Sequence, residues 1–258
     1  MFGTNWKMNK TSHEASLYAE TFRERLRQIN GIGSAQVFVI PPYTAITVVK
    51  ELSGGSYWVG AQNMHWERNG AYTGEISAEM LADIGVDLVL VGHAERRELF
   101  HETDAMVNLK VHAALRAGLR ALVCIGEDLA GREAHAEQEI CSRQLRIALQ
   151  GVPANAGGQV IIAYEPAWAI GENGVTADPD YIREMKELFR AILEEVFDER
   201  SAEMIPILYG GSVNTEDAAE LLVKSQVDGL FVGRAALDPI IFATLIGSCL
   251  TGAKNPGL

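Results

Sequence analysis

The chain has 258 residues and a formal net charge of −12, from 22 basic and 34 acidic side chains. That balance repels nucleic acid and anionic lipid, and no apolar run reaches the roughly 20 residues that a bilayer span needs. Cys124, Cys141 and Cys249 are odd in number and widely spaced with no CxxC pair, which fits reduced thiols better than a disulfide framework or a zinc site.

The chain opens on Met1-Phe2-Gly3-Thr4, with no basic head and no apolar stretch, so a cytoplasmic location is expected. Eight apolar, β-branched runs follow, each preceding an amphipathic segment. The pattern predicts strands at about 2–7, 36–40, 57–61, 87–91, 120–125, 159–164, 205–209 and 228–232. Helices are predicted near 12–30, 44–53, 77–84, 103–117, 133–150, 179–198, 215–224 and 236–247. The first helix carries a capping box, Thr11 with Glu14. The sixth opens with Asp178 as cap and Pro179 at its first position, where a missing amide hydrogen is harmless. Strands rich in Val, Ile and Leu alternating with helices imply a parallel sheet covered on both faces, and right-handed crossovers permit closure. The fold class is α/β, a single (β/α)8 barrel domain over residues 1–258, near the roughly 250 residues typical of such barrels.

In such barrels the chemistry sits at the C-terminal ends of the strands, which is where Lys7, His93, Glu165, Ser212 and Gly233 fall. Glu165 ends an apolar run and is followed by Pro166, which lacks an amide hydrogen and stiffens the turn beside the carboxylate. Gly171 to Asp178 then reads as a polar, glycine-bearing lid. His13, His65, His101, His112 and His135 fall on helices or loops with no evident partner and read as structural or solvated.

Five stretches in chain order carry a resemblance: Asn5-Trp6-Lys7-Met8-Asn9, Gly92-His93-Ala94-Glu95-Arg96-Arg97, Ala163-Tyr164-Glu165-Pro166-Ala167-Trp168-Ala169-Ile170-Gly171, Tyr209-Gly210-Gly211-Ser212-Val213-Asn214 and Gly229-Leu230-Phe231-Val232-Gly233. Together they resemble the triosephosphate isomerase family, whose fold is the TIM barrel. That family is itself the standard worked case of a carboxylate base paired with a neutral imidazole. The resemblance implies that Glu165 is the base, that His93 donates to the developing oxyanion, and that Lys7 and Asn5 bind substrate. Glu95 would hold Lys7. Gly171, Ser212, Gly233 and the Arg234 amide would cradle a phosphate, with Lys7 as the local cation against an acidic protein. The implied substrate is a small phosphorylated sugar, with no metal and no cofactor. The long third loop, around Thr73, would enter a second copy of the chain in a homodimer, with Met64 and Tyr72 at its protruding tip.

Some positions depart from the common pattern of that family. Ala94 stands where serine usually follows the histidine, the lid is one residue longer, Arg234 replaces a second glycine and Lys10 replaces a glycine. A need for positive φ at Arg234 would be costly. The changes gather at the lid and the substrate end, away from the acid and base. That pattern fits retained proton transfer with altered substrate choice, yet interconversion of glyceraldehyde 3-phosphate and dihydroxyacetone phosphate, a glycolytic and gluconeogenic reaction, is still expected first. A tetrulose phosphate such as L-erythrulose 1-phosphate, met in tetritol catabolism, is the alternative. A Schiff-base aldolase and a non-catalytic binding barrel are remote readings.

Overall fold

In the computed structural model, which describes residues 1–171 and 174–252, eight parallel strands close into a barrel. They are β1 (Phe2–Asn5), β2 (Val37–Ile40), β3 (Trp58–Ala61), β4 (Leu88–Val91), β5 (Arg120–Ile125), β6 (Val160–Tyr164), β7 (Ile207–Tyr209) and β8 (Gly229–Val232). Phe2 of β1 faces Val37 of β2 on one side and Leu230 of β8 on the other, so the sheet has no free edge. Within the strands, side chains alternate. Phe38, Ile40, Leu88, Leu90, Leu122 and Phe231 point into the barrel, while Val39, Val89, Val123 and Ile162 pack outward against helices. Neither face meets water, which is why the runs are apolar throughout and show no polar alternation.

The helices among the described residues are α1 (Ser12–Arg27), α2 (Ile46–Ser53), α3 (Ala78–Asp83), α4 (Ala94–Phe100), α5 (Asp104–Arg116), α6 (Leu129–Glu133), α7 (Glu137–Leu149), α8 (Pro179–Val196), α9 (Glu199–Glu203), α10 (Ala218–Ser225) and α11 (Pro239–Gly252). The α1 capping box is formed, with the Glu14 carboxylate accepting from the Thr11 amide at 2.7 Å. Asp178 caps α8 and Pro179 is its first residue. Three short helices, α4, α6 and α9, were not foreseen as elements. Each opens on a side-chain cap, from His93, Asp128 and Asp198. The helix predicted at 133–150 starts late, at Glu137, because His135 takes φ +53 and separates it from α6.

Two features aim the site. Strand β1 stops at Asn5, short of the predicted 7, because Lys7 leaves the extended region for φ +54. Helix α8 buries Ile182, Met185, Phe189, Ile192 and Leu193 on one face, and Phe189 meets Tyr164 edge-on at 5.4 Å. That contact pins the end of β6 immediately before Glu165. The third loop corrects one expectation. Met64 is fully buried in the core, and of the two apolar residues placed at the tip only Tyr72 is exposed.

Candidate active site

The C-terminal ends of the strands surround a cavity of about 800 Å³. Asn5, Lys7, His93, Glu95, Glu165, Gly171, Ser212, Gly233 and Arg234 all line it, so closure of the barrel gathers residues from nearly the whole chain. None of His13, His65, His101, His112 and His135 is among the lining residues.

Lys7 is held from both sides of its backbone. Its amide donates to Asn5 Oδ1 at 2.9 Å, and its carbonyl accepts from Gln62 Nε2 at 2.8 Å. These bonds hold Lys7 at φ +54 and offset the cost of that left-handed conformation, about 1–2 kcal/mol for a non-glycine residue. They also leave the Asn5 amide nitrogen as the group free to donate. The Lys7 ammonium meets Glu95 Oε1 at 2.6 Å, which fixes the long side chain and also neutralises it.

His93 caps α4 with its ring, Nδ1 accepting from the Glu95 amide at 3.2 Å. A nitrogen that accepts carries no proton, so the neutral ring presents Nε2–H to the cavity. Glu165 Oε1 lies 3.6 Å from that Nε2, beyond hydrogen-bond length, so the donor is not tied up by the base. The glutamate is itself 3% exposed, and its amide donates to the Ile125 carbonyl at 2.7 Å. Among the described residues its Oε2 is buried without an N–H or O–H donor, and the residue after His93, Ala94, has no hydroxyl to offer. Cys124 lies inside the barrel beside it. Burial first, then the nearby Glu165 carboxylate, push the Cys124 thiol well up, so it remains protonated.

The glycines after β7 have a packing reason that the sequence did not suggest. A Cβ on Gly210 would stand 2.7 Å from Glu165 Cγ, and one on Gly211 would stand 2.1 Å from the Tyr209 hydroxyl. They make room for the base and for a tyrosine that accepts from the Ala177 amide at 3.2 Å, fastening the far arm of the lid. Ser212 is engaged with the lid in this arrangement. Its amide and hydroxyl both donate to the Ala169 carbonyl, at 2.8 and 2.9 Å, so an anion would have to draw them away from the lid. A Cβ at Gly233 would meet open space, and Arg234 starts a 3-10 turn with no positive φ, so the feared backbone cost does not arise. The lid residues Glu172 and Asn173 lie outside the described residues.

A family model described as triosephosphate isomerase matches residues 1–249. The chain belongs to the triosephosphate isomerase family. It is 45% identical over 251 residues to the L-erythrulose-1-phosphate isomerase of Brucella abortus biovar 1 (strain 9-941), covering 96% of both chains. A protein of the same name from Rhizobium meliloti (strain 1021) is 46% identical over 248 residues, covering 92% of this chain and 91% of that protein. The triosephosphate isomerase of Alkaliphilus oremlandii (strain OhILAs) is 43% identical over 243 residues, covering 94% of this chain and 96% of that protein. The protein is thus an isomerase of the intramolecular oxidoreductase type, on a TIM barrel.

Three supports of this isomerase site escaped the sequence reading. Glu127, fully buried at the end of β5, accepts from Trp168 Nε1 at 2.6 Å, from Tyr181 at 2.9 Å and from Tyr164, tying the lid's near arm to the barrel. Glu102 accepts from the Gly92 amide at 2.8 Å and from Arg96 and Lys110, both at 2.7 Å, which braces the turn that carries His93. Burial would raise the Glu102 carboxyl, but Lys110, Arg96 and the Gly92 amide outweigh it and hold it below its ordinary range. Lys110 also donates to Asn63 Oδ1 at 2.7 Å, linking this brace to the third loop. The strand-end rule could have found Glu127. Tyr209, a third support, reads in sequence as one more apolar strand residue.

Proposed function

We propose that the protein isomerises L-erythrulose 1-phosphate by enediolate proton transfer, the four-carbon reading taking precedence over the triose reading expected first. The observation that carries this is the similarity over nearly the whole chain to proteins named for that substrate, at 45–46% identity. The site adds support. A tetrulose has one more hydroxyl than a triose, and among the described residues Glu165 Oε2 is a buried acceptor with no N–H or O–H donor. A lone acceptor in that position costs free energy until something donates to it. Cavity volume favours neither substrate.

The chemistry follows from the substrate's connectivity. Carbon 1 bears the phosphate ester, so the carbonyl at carbon 2 can move only to carbon 3. Glu165 takes the carbon 3 proton as general base, His93 Nε2–H and the Lys7 ammonium stabilise the oxyanion at carbon 2, and the enediolate spans carbons 2 and 3. Return of a proton to carbon 2, with exchange of the hydroxyl proton between the two oxygens, gives erythrulose 4-phosphate. One C–H bond breaks, one forms, and no outside oxidant or cofactor is needed. The reaction joins two ketoses, whereas the triose reaction joins a ketose and an aldose. Asn5, Gly171, Ser212, Gly233 and Arg234 bind the phosphorylated end, and Glu95 positions Lys7.

The working enzyme is a cytoplasmic homodimer joined through the third loop, with Thr73 reaching toward the partner. Tyr72, 45% exposed, and Met8, 96% exposed, are apolar surfaces that such a contact would cover. Sedimentation equilibrium checks this, a monomer at micromolar concentration being the contrary result. For the substrate, kcat/KM is compared between L-erythrulose 1-phosphate and dihydroxyacetone phosphate. A preference of at least about tenfold for the tetrulose is expected from the usual worth of one added polar carbon. Equal or reversed constants return the triose reading to first place.

A further inference from the structure

Among the described residues five ionisable side chains line the cavity: Lys7, His93, Glu95, Glu165 and Arg234. Two of them cancel, since the Lys7 ammonium is bound to Glu95 at 2.6 Å. Glu165 contributes a negative charge, and the His93 ring, accepting at Nδ1, contributes none. Arg234 is left as the uncompensated cation among the described lining residues. It is exposed, and among the described residues no ion pair or side-chain hydrogen bond engages it. Without the arginine the described lining would be one unit negative, inside a protein of net charge −12. A phosphate monoester brings about −1.5 to −2 more at neutral pH, so the approach of substrate would be opposed at long and short range.

We infer that the Arg234 side chain draws the phosphate of the substrate into the cavity and holds it at the rim beside Gly233. This rests on the reading of the site as one for a sugar phosphate, and it goes beyond the backbone-amide role expected for this residue. The guanidinium suits the task because its planar fork can take two phosphate oxygens at once. Its setting suits it also. Arg234 begins the turn directly after Gly233, where the space a Cβ would fill is open, and it does so without positive φ. Lys7, locked to Glu95, is then left for the oxyanion at the other end of the substrate.

The test compares Arg234→Gln and Arg234→Lys with the parent dimer. The readouts are kinetics on both sugar phosphates at low and high ionic strength, and calorimetric binding of 2-phosphoglycolate. For Arg234→Gln, kcat/KM is expected to fall about tenfold, carried by KM with kcat within about twofold, as the loss of one charge-assisted contact implies. Affinity for 2-phosphoglycolate should fall in parallel, and the salt dependence of kcat/KM should flatten, because the screened attraction has been removed. Arg234→Lys should recover most of each loss. Parent-like constants for Arg234→Gln overturn the inference. So does an Arg234→Lys variant as poor as Arg234→Gln with a lowered melting temperature, which would make the residue structural. If the parent itself neither binds 2-phosphoglycolate nor turns over either sugar, the sugar-phosphate reading fails and takes this inference with it.

Discussion

At the N-terminal end of the barrel Asp87 accepts from the Val59 amide at 2.8 Å and from Lys50 Nζ at 2.6 Å. Asp228, at the same end, accepts from the Ile207 amide at 2.8 Å and from Arg190 at 3.1 Å, while its carbonyl takes the Met1 amine at 2.7 Å. Each carboxylate is matched by a strand amide and a cation. At the C-terminal end Lys7 sits at φ +54 and Glu165 Oε2 has no donor. One end uses its charges to fasten strands to one another. The other keeps a base desolvated and partly unsatisfied, a state that costs stability and leaves one carboxylate oxygen open to the substrate. Stability and reactivity are thus assigned to opposite faces of the same eight strands.

The largest effect that separates the two ends is expected at Glu165. Replacing it with glutamine removes the base and should lower kcat by about 10²- to 10⁴-fold, the scale of general base catalysis. The same change replaces a buried, underpartnered carboxylate by a neutral amide, so the protein should become more stable, by about 1 kcal/mol. Stopped assays and thermal denaturation of the purified variant check both halves. A variant that is inactive and also clearly less stable would mean that Glu165 helps to hold the barrel, and the contrast between the ends would be lost.

The converse change is Asp87→Ala. It strips the Val59 amide and Lys50 of their acceptor and should destabilise the protein by about 1.5–3 kcal/mol, as expected when a hydrogen-bonded charge is removed. kcat/KM at 25 °C should stay within about twofold of the parent, because the site stands at the far ends of the strands. Urea denaturation beside steady-state kinetics reads this out. A proportional loss of turnover would show the two ends to be mechanically joined.

How much of this was legible in the sequence follows the same division. The strands were readable because both faces are buried, so apolar residues run without polar alternation through β2, β4 and β6 and through β5 after Arg120. Lys7, His93 and Glu165 were readable because each ends such a run. The short helices α6 and α9 were missed since five residues cannot show a helical period, although Asp128 and Asp198 gave capping signals. Met64 was misplaced because local sequence cannot tell a loop residue that turns into the core from one that turns out. Ser212 and Gly210 answer to partners more than forty positions away, Ala169 and Glu165, which only closure of the barrel brings near. Arg234 was read through its backbone, since its value as a cation emerges only when Lys7 is seen bound to Glu95.

The smallest effect sharpens the comparison within the reactive end itself. Ala94 follows His93 directly, and it lacks the hydroxyl that could satisfy Glu165 Oε2. Ala94→Ser would supply a donor directly after His93 and is expected to disfavour the bulkier tetrulose phosphate. The smaller triose substrate should be little affected. A pocket change of this size is worth about 1–3 kcal/mol, so the ratio of kcat/KM for triose over tetrulose phosphate should rise by roughly ten- to a hundredfold. Trimming the lid by one residue should push in the same direction. The mechanism would be unchanged, so exchange of the substrate's carbon-bound proton with solvent should persist in the variant for whichever sugar it still accepts. If both substrates lose activity in equal proportion, the hydroxyl has disturbed the base without reading the sugar, and Ala94 has no part in choosing between three carbons and four.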